Sequence, residues 1–245
     1  MDSSGAWDEG KFRCELHPFG IGEGTAGAEG SVPCFVLTTF GDPSERIAGQ
    51  RERYAGWAEA GGAKPFALLT LSVPDWHGDL SPWPAPPIER GGEPFSGNAA
   101  ETLGAITGGV LPSARERLPA IRRGYAGLIG YSMAGLFALW SAYRTDAFSV
   151  IASCSGSLWY PGFIDFMEHT EPNALRGAYL SAGESEEWTR HPVFKHSGNA
   201  MRRALDILKA SPNVGEASIE WHIGGHTGRV GERLFAALRW MAERA

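Results

Sequence analysis

Apolar residues along this chain fall into two recurring patterns. Short unbroken runs, rich in β-branched and aromatic residues and bounded by turn residues, predict buried strands. The clearest are 31–39 (Ser-Val-Pro-Cys-Phe-Val-Leu-Thr-Thr), 65–73 (Pro-Phe-Ala-Leu-Leu-Thr-Leu-Ser-Val) and 124–131, followed by 147–153, 177–182 and 217–223. Between them, apolar positions recur at helical spacing. Pro43 opens a helix that carries Ile47, Tyr54, Trp57 and Ala58 and ends at Gly61-Gly62. Further helices are predicted from about Asn98 to about Leu118, over 133–143, near 162–169, near 196–210 and over 230–243. Residues 1–30 carry only a weak signal for one or two edge strands.

Strands alternating with helices define an α/β chain with a mostly parallel sheet covered on both faces. Right-handed crossovers then gather the loops after the strands along one edge of the sheet, where sites in such folds lie. Residues 74–97, dense in Pro, Gly and Trp, are too irregular for a regular element and predict a long structured loop near that edge. No internal repeat or low-complexity tract divides the chain, and 1–245 is read as a single domain.

Composition narrows the partners. The chain has 245 residues, 43% hydrophobic and 20% charged, which suits one globular domain with a sizeable core. A net charge of −6 and the lack of a long basic run give nucleic acid no general attraction. The three cysteines, Cys14, Cys34 and Cys154, are far apart and form no C-x-x-C pair, which speaks against a zinc or dithiol site and suits a reducing compartment. The first ten residues lack the basic and apolar regions of a signal peptide. No apolar run approaches the roughly 20 residues that span a bilayer. The expectation is a soluble, cytoplasmic protein with no metal and no organic cofactor; its oligomeric state is not legible.

Candidate chemistry begins after the strand at 124–131. Gly130-Tyr131-Ser132-Met133-Ala134-Gly135 is close to the G-x-S-x-G elbow, in which a strained strand-to-helix turn lifts a serine hydroxyl over the sheet. An apolar strand before it and an apolar helix after it supply the context that the elbow requires. This points to the α/β-hydrolase fold, with Ser132 as nucleophile. A serine hydroxyl needs a base, usually a histidine held by a carboxylate, and in this fold the order along the chain is serine, acid, histidine.

Of the seven histidines, His226 follows the last strand in Ile223-Gly224-Gly225-His226-Thr227-Gly228, just before the C-terminal helix, where such a base belongs. His222 lies on the strand itself and reads as a partly buried, hydrogen-bonded structural imidazole. The acid should follow the preceding strand, where Glu184, Glu186 and Glu187 compete. Spacing of about three residues beyond the strand-ending glycine favours Glu186. An oxyanion hole needs two N–H donors aimed at the developing charge. Met133, after the nucleophile, supplies one, and Phe40, in the loop after the strand 31–39, is the candidate for the other. Trp76 and Trp83 of the long loop, with Trp159, are candidates for the walls of an aromatic substrate pocket.

Three segments carry a family resemblance: the Gly-Tyr-Ser-Met-Ala-Gly-Leu elbow, Ser153-Cys154-Ser155-Gly156-Ser157-Leu158-Trp159, and the Gly-Gly-His ending. In order and spacing they resemble the Putative esterase family of α/β hydrolases, which includes feruloyl esterases, S-formylglutathione hydrolase and ferric siderophore esterases. The resemblance covers roughly residues 30–243. Trp76 with Ser81-Pro82-Trp83-Pro84, and Gly183-Glu184-Ser185-Glu186-Glu187, resemble a bacterial subgroup. The chain departs from the family at Ala134, where a glycine is usual, and at Thr38-Thr39, where His-Gly is usual.

The resemblance implies hydrolysis of a small-molecule carboxylic ester through an acyl-enzyme, without metal or cofactor. An acyltransferase on the same scaffold, or a binding protein with a dead site, are the alternatives. No cluster of arginines is evident that would grip an anionic ferric siderophore.

Overall fold

The structure, a computed structural model, describes residues 5–21, 32–41, 43–62 and 64–245. Among the described residues ten strands appear in chain order: β1 (Ala6–Glu9), β2 (Phe12–Phe19), β3 (Val32–Thr39), β4 (Phe66–Ser72), β5 (Pro84–Ala85), β6 (Phe95–Ser96), β7 (Ile121–Tyr131), β8 (Val150–Cys154), β9 (Gly177–Gly183) and β10 (Ala217–His222). Eight form one sheet in the order β1-β2-β4-β3-β7-β8-β9-β10. From β4 onward through that order every pairing is parallel. Strands β1 and β2 add an antiparallel edge. The weak edge-strand signal of the first thirty residues corresponds to β1 and β2, while residues 1–4 and 22–31 lie outside the described residues.

The helices are α1 (Pro43–Glu59), α2 (Ala99–Ala105), α3 (Leu111–Arg117), α4 (Met133–Ser141), α5 (Phe163–His169), α6 (Ser197–Ala210) and α7 (Val230–Glu243). Helices α1 and α7 cover one face of the sheet; α4, α5, α6 and the α2–α3 segment cover the other. Side chains of a strand alternate between faces. In β3, Cys34 and Val36 enter one core cluster while Phe35 and Leu37 enter the other; in β4, Ala67, Leu69 and Leu71 separate in the same way from Phe66 and Leu68. Both faces are dry, so these strands read as unbroken apolar runs.

Two elements differ from the sequence reading. The single helix expected over 98–118 is interrupted by a π turn at Ile106–Val110. Pro112 has no N–H to give the carbonyl four residues back and its ring crowds that carbonyl, which a widened turn relieves. The loop at 74–97 contains a small antiparallel ladder, β5 with β6, whose two-residue strands are too short to leave a periodic signal.

That loop is anchored from beneath. Asp79 is 1% exposed and pairs with Lys11, in the turn between β1 and β2. Its second carboxylate oxygen accepts from the backbone N–H of Asp75 at 3.3 Å. The buried charge is thus paired and hydrogen-bonded, as burial demands.

Candidate active site

The turn from β7 into α4 places Ser132 at φ 60°, ψ −119°, a conformation that L-residues seldom adopt. Surrounding contacts hold it there. Ser132 N–H donates to Cys154 O at 3.0 Å, and Ser132 O accepts from Leu136 N–H at 3.1 Å and Ser157 N–H at 3.0 Å. Strand and helix pass so closely that a Cβ on Gly130 would lie 2.1 Å from Ala134 O and 2.7 Å from Ala134 Cβ. This explains the departure at Ala134: its methyl fits because the residue facing it is glycine.

Ser132 Oγ lies 3.1 Å from His226 Nε2, and His226 Nδ1 lies 2.9 Å from Glu186 Oε2. The loop after β10 thereby brings His226 between the serine at the end of β7 and the glutamate after β9. Glu184 is exposed, and its N–H donates to His222 O at 2.8 Å. Glu187 turns the other way, into a two-armed pair with Arg202 on α6 at 2.6 and 3.0 Å. Of the three carboxylates, Glu186 is the one brought to His226. His222 stays on β10, outside the cleft described below, and its Nε2 has no hydrogen bond among the described residues; the Glu220 carboxylate is 3.7 Å away.

The Glu186 side chain is 6% exposed and its second oxygen is occupied. Oε1 accepts from Gly183 N–H at 2.6 Å, Ser155 Oγ at 2.7 Å and Arg233 Nη1 at 2.8 Å. Burial alone would push this carboxyl up. Hydrogen bonds from His226, Gly183 and Ser155, with the charge of His226, outweigh it and hold the group below the usual carboxylate range.

Sequence reasoning missed Ser155 and Arg233. Ser155 sits at φ 46° just past β8, inside a segment singled out for its family likeness and for Trp159, not for this serine. Arg233 is wholly buried on α7. A signal for it existed: Arg233, Ala237 and Met241 recur every fourth residue, which puts the arginine in phase with the apolar face.

A cleft of about 470 Å³ opens over the three residues. Trp76, Ile88, Met133, Trp159 and Phe194 supply its apolar wall, with His77, Thr189 and Ser197 among its polar lining. Trp159 packs edge-on against Phe194 with ring centroids 5.3 Å apart. Trp76 meets the edge of Phe40 at 5.9 Å, and the Phe40 ring is half exposed. Trp83 is not in this lining. Its indole N–H donates to Pro161 O at 3.0 Å, and its ring packs on Tyr160, Phe163 and Phe166. The expected wall residue therefore serves as loop packing, because Pro161 gives its polar edge a partner away from the cleft. Met133 opens α4, where backbone N–H groups lack helical partners, and no backbone acceptor for it occurs among the described residues.

Chemically, the arrangement can carry a proton from a hydroxyl to an imidazole while a fixed carboxylate stabilises the resulting cation. Serine on a strained strand–helix turn, then acid, then histidine, each after its own parallel strand, is the order and architecture of the α/β hydrolases. Residues 37–245 match the family described as Putative esterase, and the chain belongs to that family. Ester hydrolysis is the activity that this membership supports.

No curated protein matches the chain in sequence. Among solved structures it is similar to the siderophore hydrolase EstA from Aspergillus nidulans, with a TM-score of 0.72 and 21% identity over 97% of this chain and 93% of that one. It is similar to an IroE-like serine hydrolase from Shewanella oneidensis, with a TM-score of 0.75 and 16% identity over 95% and 76%. It also resembles the enterobactin esterase FES from Shigella flexneri, with a TM-score of 0.68 and 18% identity, covering 97% of this chain and 57% of that one. At these identities the likeness establishes the fold. No helix of the described residues is long and apolar enough to cross a membrane.

Proposed function

We propose that this protein is a serine-dependent carboxylic ester hydrolase that works through an acyl-enzyme. The observation that carries the reading is the unbroken hydrogen-bonded line Ser132–His226–Glu186 at the base of one cleft. His226 Nε2 takes the proton of Ser132 as Oγ bonds to the ester carbonyl carbon. The tetrahedral oxyanion accepts from Met133 N–H, with Phe40 N–H as the candidate second donor. His226 returns the proton to the departing alkoxide, whose bond to the acyl carbon breaks. Water, deprotonated by the same imidazole, then releases the acid and restores Ser132. Glu186 keeps its charge throughout and stabilises the imidazolium.

Trp76 and Trp159, with Phe194, suit a flat apolar group on the substrate. The described lining contains no lysine or arginine, and its single carboxylate, Glu186, is already bonded. An uncharged ester therefore fits better than an anionic one. The neighbours titled siderophore hydrolase and enterobactin esterase make siderophore esters the anionic comparison to assay beside an uncharged aryl ester.

A fluorophosphonate probe tests the mechanism, because it labels only an activated serine. Wild type labels and Ser132→Ala does not, and Ser132→Ala lowers kcat on an aryl ester by about 10⁴-fold or more. A wild-type chain that is neither labelled nor active, or a variant with normal turnover, rejects the proposal.

A further inference from the structure

Arg233 is a buried cation beneath the site, bonded to Glu186, Ser155, Tyr131 and the backbone oxygen of Gly225. It projects from the first turn of α7 and is 0% exposed. One terminal nitrogen, Nη1, lies 2.8 Å from Glu186 Oε1, 2.7 Å from Ser155 Oγ and 2.7 Å from Tyr131 Oη. The other, Nη2, donates to Gly225 O at 2.8 Å. These partners sit on the elements that carry the candidate triad: Tyr131 precedes Ser132, Gly225 precedes His226, and Glu186 is the acid itself. A planar fork with fixed donor directions suits such a node better than a single ammonium group would.

Two consequences follow from this geometry. Glu186 Oε1 is saturated by Arg233, Ser155 and Gly183, so Oε2 alone faces His226. The guanidinium also offsets the carboxylate's charge. Other charged or titratable groups around the pair are Tyr131 on β7, Cys154 at the end of β8, His222 on β10, Glu232 on α7, and Glu184 and Glu187 on the acid's own loop. Glu187 is paired with Arg202, and Glu184 is exposed. Arg233 is thus the cation bonded directly to the acid.

We infer that Arg233 is a positioning residue of the reaction: it fixes Glu186 to a single working oxygen and balances its charge, and it acts through Glu186 alone. The inference rests on the reading of Ser132, His226 and Glu186 as a triad.

The test is a double-mutant cycle on the full chain, read by aryl-ester kinetics, with circular dichroism checking the fold. Arg233→Met is expected to lower kcat by about 10²-fold with KM little changed, since geometry at the reacting groups and not substrate binding is lost. In a Glu186→Gln background the same change is expected to cost less than about threefold, because residues that act as a unit are not additive. Loss of the cation favours the imidazolium, so the acid limb of kcat/KM moves to higher pH in Arg233→Met by about half a unit or more.

Arg233→Lys keeps a charge beside Glu186 but replaces the fixed donor fork with a point charge, so Oε1 is no longer held in one direction. It is expected to lower kcat in the wild-type background only, with its acid limb unmoved, and it decides the question if Arg233→Met does not fold. Equal losses in both backgrounds, or normal kcat in Arg233→Met, overturn the inference and leave the triad standing. A fully active Glu186→Gln overturns the acid assignment first, and the inference falls with it.

Discussion

Tyr131 donates its hydroxyl to the backbone oxygen of His226, so the residue before the candidate nucleophile holds the backbone of the candidate base. Burial pushes the Tyr131 phenol up, which keeps the donor protonated. Tyr131→Phe removes this tie and one of the acceptors of Arg233. Its expected effect is a fall in kcat of about tenfold with KM within about twofold, the pattern of a misplaced group and not of lost binding. Unchanged kcat would show that the His226 loop is held well enough without it.

The two neighbouring histidines separate by geometry, and their variants separate by activity. His226→Ala is expected to lose at least about 10³-fold in kcat, because no other base among the described residues is hydrogen-bonded to Ser132 Oγ. His222→Ala is expected to stay within about threefold of wild type. Since the base accepts a proton only as neutral imidazole, wild-type kcat/KM falls through a single limb on the acid side. An inactive His222→Ala beside a working His226→Ala would exchange their roles.

Glu186→Gln presents His226 with an amide in place of a charge and leaves Arg233 as an unpaired buried cation. We expect kcat to fall by about 10²-fold or more, and stability to fall by about 3–5 kcal/mol, the usual cost of breaking a buried pair. Glu184→Gln is expected to be within about twofold of wild type in both respects, as exposed substitutions commonly are. Glu187→Gln loses a largely surface pair with Arg202, and little else. Kinetics and urea melts of the three variants check this; a Glu184 or Glu187 variant as impaired as Glu186→Gln would contradict the assignment.

How much of this was legible beforehand varied with the kind of information each feature needs. Strands β3 and β4, and β7 over 125–130, are buried on both faces, so their runs are unmistakable, and the elbow lies where one of them ends. Glu184, Glu186 and Glu187 look equivalent in sequence because the loop's turn decides which points inward: the Gly183 N–H captures Glu186 and Arg202 captures Glu187. Trp83 and Trp76 share one loop and one composition. What separates them is a carbonyl some eighty residues on, at Pro161, which no local pattern reveals. Arg233 reads as one more charge on an amphipathic helix unless its phase with Ala237 and Met241 is noticed.

A second titration lies far from the site. His17 is 4% exposed; its Nδ1 accepts from Arg51 at 2.6 Å and its Nε2 faces Thr70 Oγ1 at 3.3 Å, an arrangement that needs the neutral ring. Burial first, and the charge of Arg51 second, push His17 down to about 4. The Glu15 carboxylate, 3.6 Å away, does not reverse this. A folded value below the unfolded one of about 6.5 means that the neutral ring's contribution is complete above about pH 6.5 and is lost as pH falls towards 4. The Tm of wild type should therefore drop more between pH 7 and pH 4 than that of His17→Gln. Parallel curves would remove His17 from the acid sensitivity.

The three cysteines are 0% exposed, and burial pushes each thiol up to about 12. Only a thiolate attacks an alkylating reagent, so the native chain is silent to iodoacetamide on two counts, access and ionisation. Cys14 sits on the antiparallel edge, Cys34 in the middle of the sheet and Cys154 beside the site. Alkylation at each position then times the opening of its own part of the molecule. Mass spectrometry of the three peptides would tell whether the edge strands peel away before the centre, or whether the whole sheet comes apart at once.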